Sequence, residues 1–98
     1  MSRITVGITG ASGAIYALRT LRGLLMLGDD VDLIVSEFGW MILREECGFR
    51  GKQADFEGFV KELYRAEAEK GSLTIHSSGN LAATVASGSF ASRGMVVV

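Results

Sequence analysis

The chain has 98 residues, 48% of them hydrophobic, with a formal net charge of -1. That length suits one small domain or part of a larger one, and the apolar fraction excludes a disordered chain. The balanced charge gives no bulk basic field for nucleic acid or a membrane surface, and no apolar run is long enough to span a bilayer. From Arg3 to Thr9 apolar residues alternate, so a first strand carries Ile4, Val6 and Ile8 on one face. Gly7-Ile8-Thr9-Gly10-Ala11-Ser12-Gly13-Ala14 then turns the chain into a helix from Ala14 to Leu27. Ile15, Leu18, Leu21, Leu24 and Leu25 form its apolar face, Arg19 and Arg22 its wetter one, and Gly28 is its stop. Val31 to Val35 is a second strand, completing a βαβ unit whose crossover is right-handed.

A second helix runs from Glu37 to Cys47 and carries Phe38, Met41 and Ile42 inward. Gly48 to Lys52 is a loop. Phe56, Phe59, Val60, Leu63 and Tyr64 mark one amphipathic helix over Gln53 to Lys70, which Gly71 ends. Leu73 to His76 is a short strand, Ser77 to Arg93 is rich in small residues, and Met95 to Val98 is the last strand. Strands alternating with helices predict an α/β fold with a parallel sheet. The apolar run Gly94 to Val98 reads as a buried strand. The expectation is therefore that residues 1–98 are the N-terminal part of a single α/β domain, inactive by themselves.

The glycine turn is the candidate site. A strand, a glycine-rich turn and a helix start bring backbone N–H groups towards an anion. Gly10 and Gly13 admit angles closed to other residues and let a ligand approach the main chain. Ser12 adds a hydroxyl at the mouth of the turn. Such a loop reads as a seat for a phosphate or a flat cofactor; the alternative is a tight connection with no ligand. Ser36 ends the second strand, at the edge where open α/β sheets bind ligands. A helix beginning just after Ser36 turns one of Glu45 and Glu46 back towards that edge, where a carboxyl can carry a proton. Glu45 reads as an exposed carboxylate, His76 as a surface or loop histidine, and Trp40 as core or a subunit contact. No metal site is expected, because Cys47 and His76 are single and far apart. Cys47 reads as a packed thiol, and a single cysteine suits a reducing, cytoplasmic setting.

Two chemistries compete for the turn. Thr9-Gly10-Ala11-Ser12-Gly13 opens the fingerprint of short-chain reductases that use NAD(P), but Tyr16 stands where that pattern has its next glycine. The second is a flavin mononucleotide. The turn through Ile15-Tyr16, Ile34-Val35-Ser36, Glu46, Ala86-Ser87-Gly88-Ser89-Phe90 and Gly94-Met95-Val96-Val97 together closely resemble the UbiX/Pad flavin prenyltransferases. The resemblance covers the chain except about residues 48–74.

It implies a Rossmann-like or flavodoxin-like three-layer αβα fold that binds FMN at the contacts of a homo-oligomer. The implied reaction joins a dimethylallyl group from dimethylallyl phosphate to reduced FMN, and the prenylated FMN serves a partner decarboxylase. By match, Gly10, Ala11, Ser12 and Gly13 form the FMN turn, and Ser36 also contacts the cofactor. Ser12 and Glu46 lie near the reacting flavin nitrogen and move protons, while Ala86, Ser87, Gly88 and Ser89 border the prenyl site. The resemblance implies no metal, and it places the residues that grip the substrate phosphate outside these 98. Related flavin-containing cysteine decarboxylases use a histidine near Val85 or Ala86, which this chain lacks. The other readings are an NAD(P)-dependent reductase domain and a non-catalytic flavin-binding or structural oligomer subunit.

Overall fold

The computed structural model describes residues 3–11, 13–76 and 94–98. Apolar residues at alternate strand positions pair across the sheet, which is buried on both faces. In β1 (Arg3–Ile8) and β2 (Asp30–Val35), Ile4 pairs with Val31, Val6 with Leu33 and Ile8 with Val35, and all six are buried. β3 (Ser72–His76) adds Leu73 opposite Val31, and β4 (Met95–Val97) sets Val96 opposite Val6. All pairings are parallel, and the order is β3-β2-β1-β4. The α/β class with a parallel sheet is thus as expected. Of the two arrangements anticipated, this is the Rossmann order, which reverses direction at β1.

Three α-helices among the described residues share this core. α1 (Ala14–Met26) buries Ala17, Leu18, Leu21 and Leu25; α2 (Glu37–Cys47) buries Trp40 and Leu43; α3 (Phe56–Tyr64) buries Phe56 and Val60. Gly28, at φ +81°, ends α1 with two bonds, Gly28 N–H to Leu25 O and Asp29 N–H to Leu24 O. This is the Schellman arrangement, which satisfies carbonyls a helix end leaves open. Trp40 belongs to the core, packed edge-on against Phe56 at 5.3 Å between ring centroids, with Phe49 5.2 Å from Phe56.

Several expectations need correction, among them the buried last strand, where Val97 is exposed. The single helix over residues 53–70 is three pieces: a 3-10 turn Gln53–Asp55, then α3, then a 3-10 turn Arg65–Ala68. Arg65 breaks it at φ +48°, ψ -123°, a positive-φ conformation outside any helical region. Phe38 and Met41 do not face inward but are exposed, because α2 turns Gly39, Trp40 and Leu43 to the core. Ile15 and Leu63, assigned to apolar helix faces, are exposed as well.

The other set of strand positions carries the polar residues Arg3, Thr5, Asp30, Asp32, Ser72, Thr74 and His76. Asp32 is only 1% exposed, and both its oxygens are partnered. Arg3 donates to it from Nε and from Nη2, the latter at 3.0 Å, and His76 Nε2 lies 2.8 Å from Oδ1. The hydrogen bond to Asp32, with its charge, holds the Arg3 guanidinium pKa above its ordinary value. A buried carboxylate is tolerated only when paired in this way, and the pairing laces β1, β2 and β3 together. His76 is accordingly a structural partner within β3 and not a loop histidine. Among the described residues no helix is long and apolar enough to cross a membrane.

Candidate functional site

The carboxyl ends of β1 and β4 meet where the strand order reverses, the place where open α/β sheets leave a crevice for ligands. Thr9 fixes this corner. Its N–H donates to Val98 O at 2.8 Å, its hydroxyl donates to the same oxygen at 3.0 Å, and Val98 N–H returns a bond to Gly7 O. The Thr9 hydroxyl also accepts from Ala11 N–H at 3.3 Å, so the turn is braced from its first residue. Gly13 N–H closes it onto Gly10 O at 3.3 Å.

Both expected glycines are needed for conformational reasons. Gly10 sits at φ +90° and Gly13 at φ +86°, ψ 157°, a region essentially closed to side chains. Gly10 is also crowded: a Cβ there would lie 2.8 Å from Phe38 Cδ2 and 3.1 Å from Ile42 Cγ1. Gly13 is the N-cap of α1, where it offers no side-chain oxygen to the free N–H groups.

The missing cap comes from α2. That helix starts at Ser36, which caps it by accepting from Gly39 N–H at 2.9 Å, and it passes the whole turn. Gly39 rests against Ile8 O, Phe38 and Ile42 against Gly10, and Glu46 Oε1 accepts from Ala14 N–H at 2.9 Å. The acid of the Glu45-Glu46 pair that turns back to the ligand edge is therefore Glu46. Its carboxylate takes the favourable end of the α1 dipole, where anions are stabilised. The sequence reading placed a phosphate or a flat cofactor at this turn; with Glu46 on the helix end, a flat and largely uncharged ring suits the surface better. A second anion on that N–H would face a like charge.

Ser36, expected to touch the cofactor, stands at the turn with its hydroxyl already engaged. It donates to Thr9 O at 3.3 Å as well as capping α2, which leaves one lone pair to accept from a ligand. Gly10, Ala11, Gly13, Ser36 and Glu46 are thus brought together. Ser12, Ala86, Ser87, Gly88 and Ser89 lie outside the described residues. Cys47 follows Glu46, and burial, helped by the Glu46 charge, pushes its thiol pKa up, away from the reactive thiolate. Among the described residues no group of three or more His, Cys, Asp or Glu could hold a metal ion.

The sequence reading did not place Phe38 beside the turn, where its ring lies against Gly10. The signal was present in its position two residues after Ser36, but the apolar character of the residue assigned it to the core. Next to the turn, Tyr16, Thr20, Val96, Val97 and Val98 line an open groove of about 520 Å3. A larger cavity of about 630 Å3 lies around Phe49, Arg50, Asp55 and Phe59, and none of its lining residues belongs to the turn.

Known proteins resemble this chain along most of its length. No family model matches the chain. It is 37% identical over 94 residues to a flavin prenyltransferase UbiX of Halalkalibacterium halodurans, covering 96% of this chain and 44% of that protein. A flavin prenyltransferase UbiX of Streptomyces coelicolor is 36% identical, over 95% of this chain and 47% of that protein. Among solved structures, AnUbiX (PadA1) in complex with FMN and dimethylallyl pyrophosphate matches with a TM-score of 0.69 at 28% identity. That match covers 98% of this chain and 44% of the other. The chain spans a little under half the length of these relatives. The resemblance carried by the motifs therefore holds along nearly the whole chain, and the reductase and structural-subunit readings gain no support from it.

Proposed function

We propose that this chain, similar to the UbiX flavin prenyltransferases along nearly all its length, forms the FMN turn of a flavin-binding α/β domain with that activity. The substrates are reduced FMN and dimethylallyl phosphate, and prenylated FMN is the product for a partner decarboxylase. The observation that carries this reading is the convergence of Gly10, Gly13, Ser36 and Glu46 at the strand-order reversal. When bound, reduced flavin supplies the nucleophile that accepts the dimethylallyl group as phosphate leaves.

The protein's own residues hold and orient. Gly10 and Ala11 offer backbone to the edge of the ring, and Ser36 accepts from it. Glu46 keeps a carboxylate at the α1 N-terminus, within reach of a flavin nitrogen, and moves a proton there; Ser12 shares that task. Ala86, Ser87, Gly88 and Ser89 border the prenyl group. The working assembly is a homo-oligomer with FMN at subunit contacts, and the reducing cytoplasm suits Cys47.

The direct test is incubation of the complete domain that carries this chain with reduced FMN and dimethylallyl mono- or diphosphate under anaerobic conditions. The expected result is a flavin whose mass has risen by one five-carbon unit. Unchanged flavin with both donors would refute the transferase assignment.

Gly13 gives a further expected result. Gly13→Val forces a side chain into a region that costs about 1–3 kcal/mol, and it must reopen the turn. FMN binding, followed by flavin fluorescence titration, should be lost while circular dichroism keeps the spectrum of the folded sheet. Undiminished affinity in that variant would remove the turn from the cofactor site.

A further inference from the structure

The surface around the glycine turn is apolar in a way the fold does not need. Phe38 is 52% exposed, and Met41, one turn further along α2, is exposed too. Ile15 and Tyr16, on the first turn of α1, are also exposed. A single exposed apolar residue is ordinary, but Phe38, Ile15 and Tyr16 flank one turn. Phe38 is the best placed of them. One edge of its ring, Cδ2 and Cε2, rests on Gly10, within 2.8 and 3.1 Å of where a Cβ would stand. The ring is held there by the main chain of α2, whose first turn is anchored by Ser36 on one side and by Gly39 against Ile8 O on the other. It is fixed at one edge and open to solvent elsewhere.

We propose that Phe38 is a specificity-determining residue: its ring forms an apolar wall of the glycine-turn seat and packs against the flat isoalloxazine of FMN. This rests on the reading of the turn as an FMN site and adds the residue that selects for the ring. The chemistry fits. A tricyclic ring has a polar edge, which the backbone of Gly10 and Ala11 and the Ser36 oxygen can meet, and an apolar face, for which the turn itself offers only glycine and alanine. Aromatic rings in offset or edge contact attract each other beyond the area they bury. The neighbouring Glu46 carboxylate repels an anionic group from the helix end, so the same corner favours the ring end of the cofactor over its phosphate.

The experiment is a fluorescence titration of FMN into the wild-type protein and into Phe38→Ala, Phe38→Leu and Phe38→Trp variants, with oligomeric state measured for each. Phe38→Ala should raise the Kd about tenfold, and Phe38→Leu, which keeps the packing on Gly10, should fall between. Phe38→Trp should restore affinity and quench the bound flavin, because an indole in contact with the ring transfers an electron to its excited state; the buried Trp40 is constant throughout. An unchanged Kd in Phe38→Ala, or flavin emission in Phe38→Trp equal to that of wild type, would overturn the proposal. So would an unchanged affinity accompanied by dissociation of the assembly, which would make Phe38 a subunit contact. Failure of the wild-type protein to bind FMN is a different result, and overturns the reading of the turn itself.

Discussion

In the complete domain, Glu46→Gln is expected to slow transfer of the dimethylallyl group to FMN by about a hundred- to ten-thousand-fold, the usual contribution of a general acid or base. Binding of FMN should survive. The reason lies in the bond from Ala14 N–H to Glu46 Oε1. A glutamine keeps an oxygen of the same reach, so α1 retains this non-local cap, and what disappears is the proton and the charge. Glu46→Ala removes the oxygen as well. It should lose the same catalytic factor and, in addition, about 0.5–2 kcal/mol of stability, the ordinary cost of a missing cap. Single-turnover ring formation measures the first effect and urea unfolding the second. A glutamine variant with the wild-type rate would leave Glu46 as a helix cap and nothing more.

The pair of variants also marks which part of this site could be read from the sequence. Local features were legible. Alternation at Ile4, Val6 and Ile8 assigns the buried face of β1, and a glycine at 10, 13 and 28 corresponds each time to a positive φ. The start of α2 at Ser36 was legible too, and with it the return of an acid towards the turn. The orientation of α2 about its own axis was not. Phe38, Trp40, Met41, Ile42 and Leu43 are apolar nearly all round, so periodicity offers several buried faces. The choice is made by a contact 31 residues away in sequence, Gly39 on Ile8 O. The pairing of Arg3 and His76 with Asp32 is equally non-local, since it follows from a strand order that no single segment encodes. Arg65 breaks a helix with neither glycine nor proline to announce it.

Gly39→Ala should therefore do more damage than any other single added methyl group in α2. The new Cβ would stand 2.6 Å from Ile8 O and 2.9 Å from Val35 Cγ1. Ile8 O cannot retreat freely, because it accepts from Ser36 N–H at 3.0 Å, the bond that leads the chain into α2. The helix must move instead. Overpacking of this kind typically costs about 1–3 kcal/mol. Here the displaced element also carries Ser36, Phe38 and Glu46, so FMN affinity should fall together with stability. Gly23 in α1 and Gly58 in α3 supply the control, since a Cβ at either position meets nothing within 4 Å. Alanine at those sites should stabilise the fold by about 0.4–1 kcal/mol through the lost freedom of the unfolded chain. The same chemical change thus has opposite signs at positions distinguished only by what faces them. Urea midpoints for the three variants read the stabilities, and flavin titration reads the site. A Gly39→Ala protein as stable as the wild type would mean that α2 is not seated on the end of β1, and the convergence of Ser36, Phe38 and Glu46 on the glycine turn would fall with that contact.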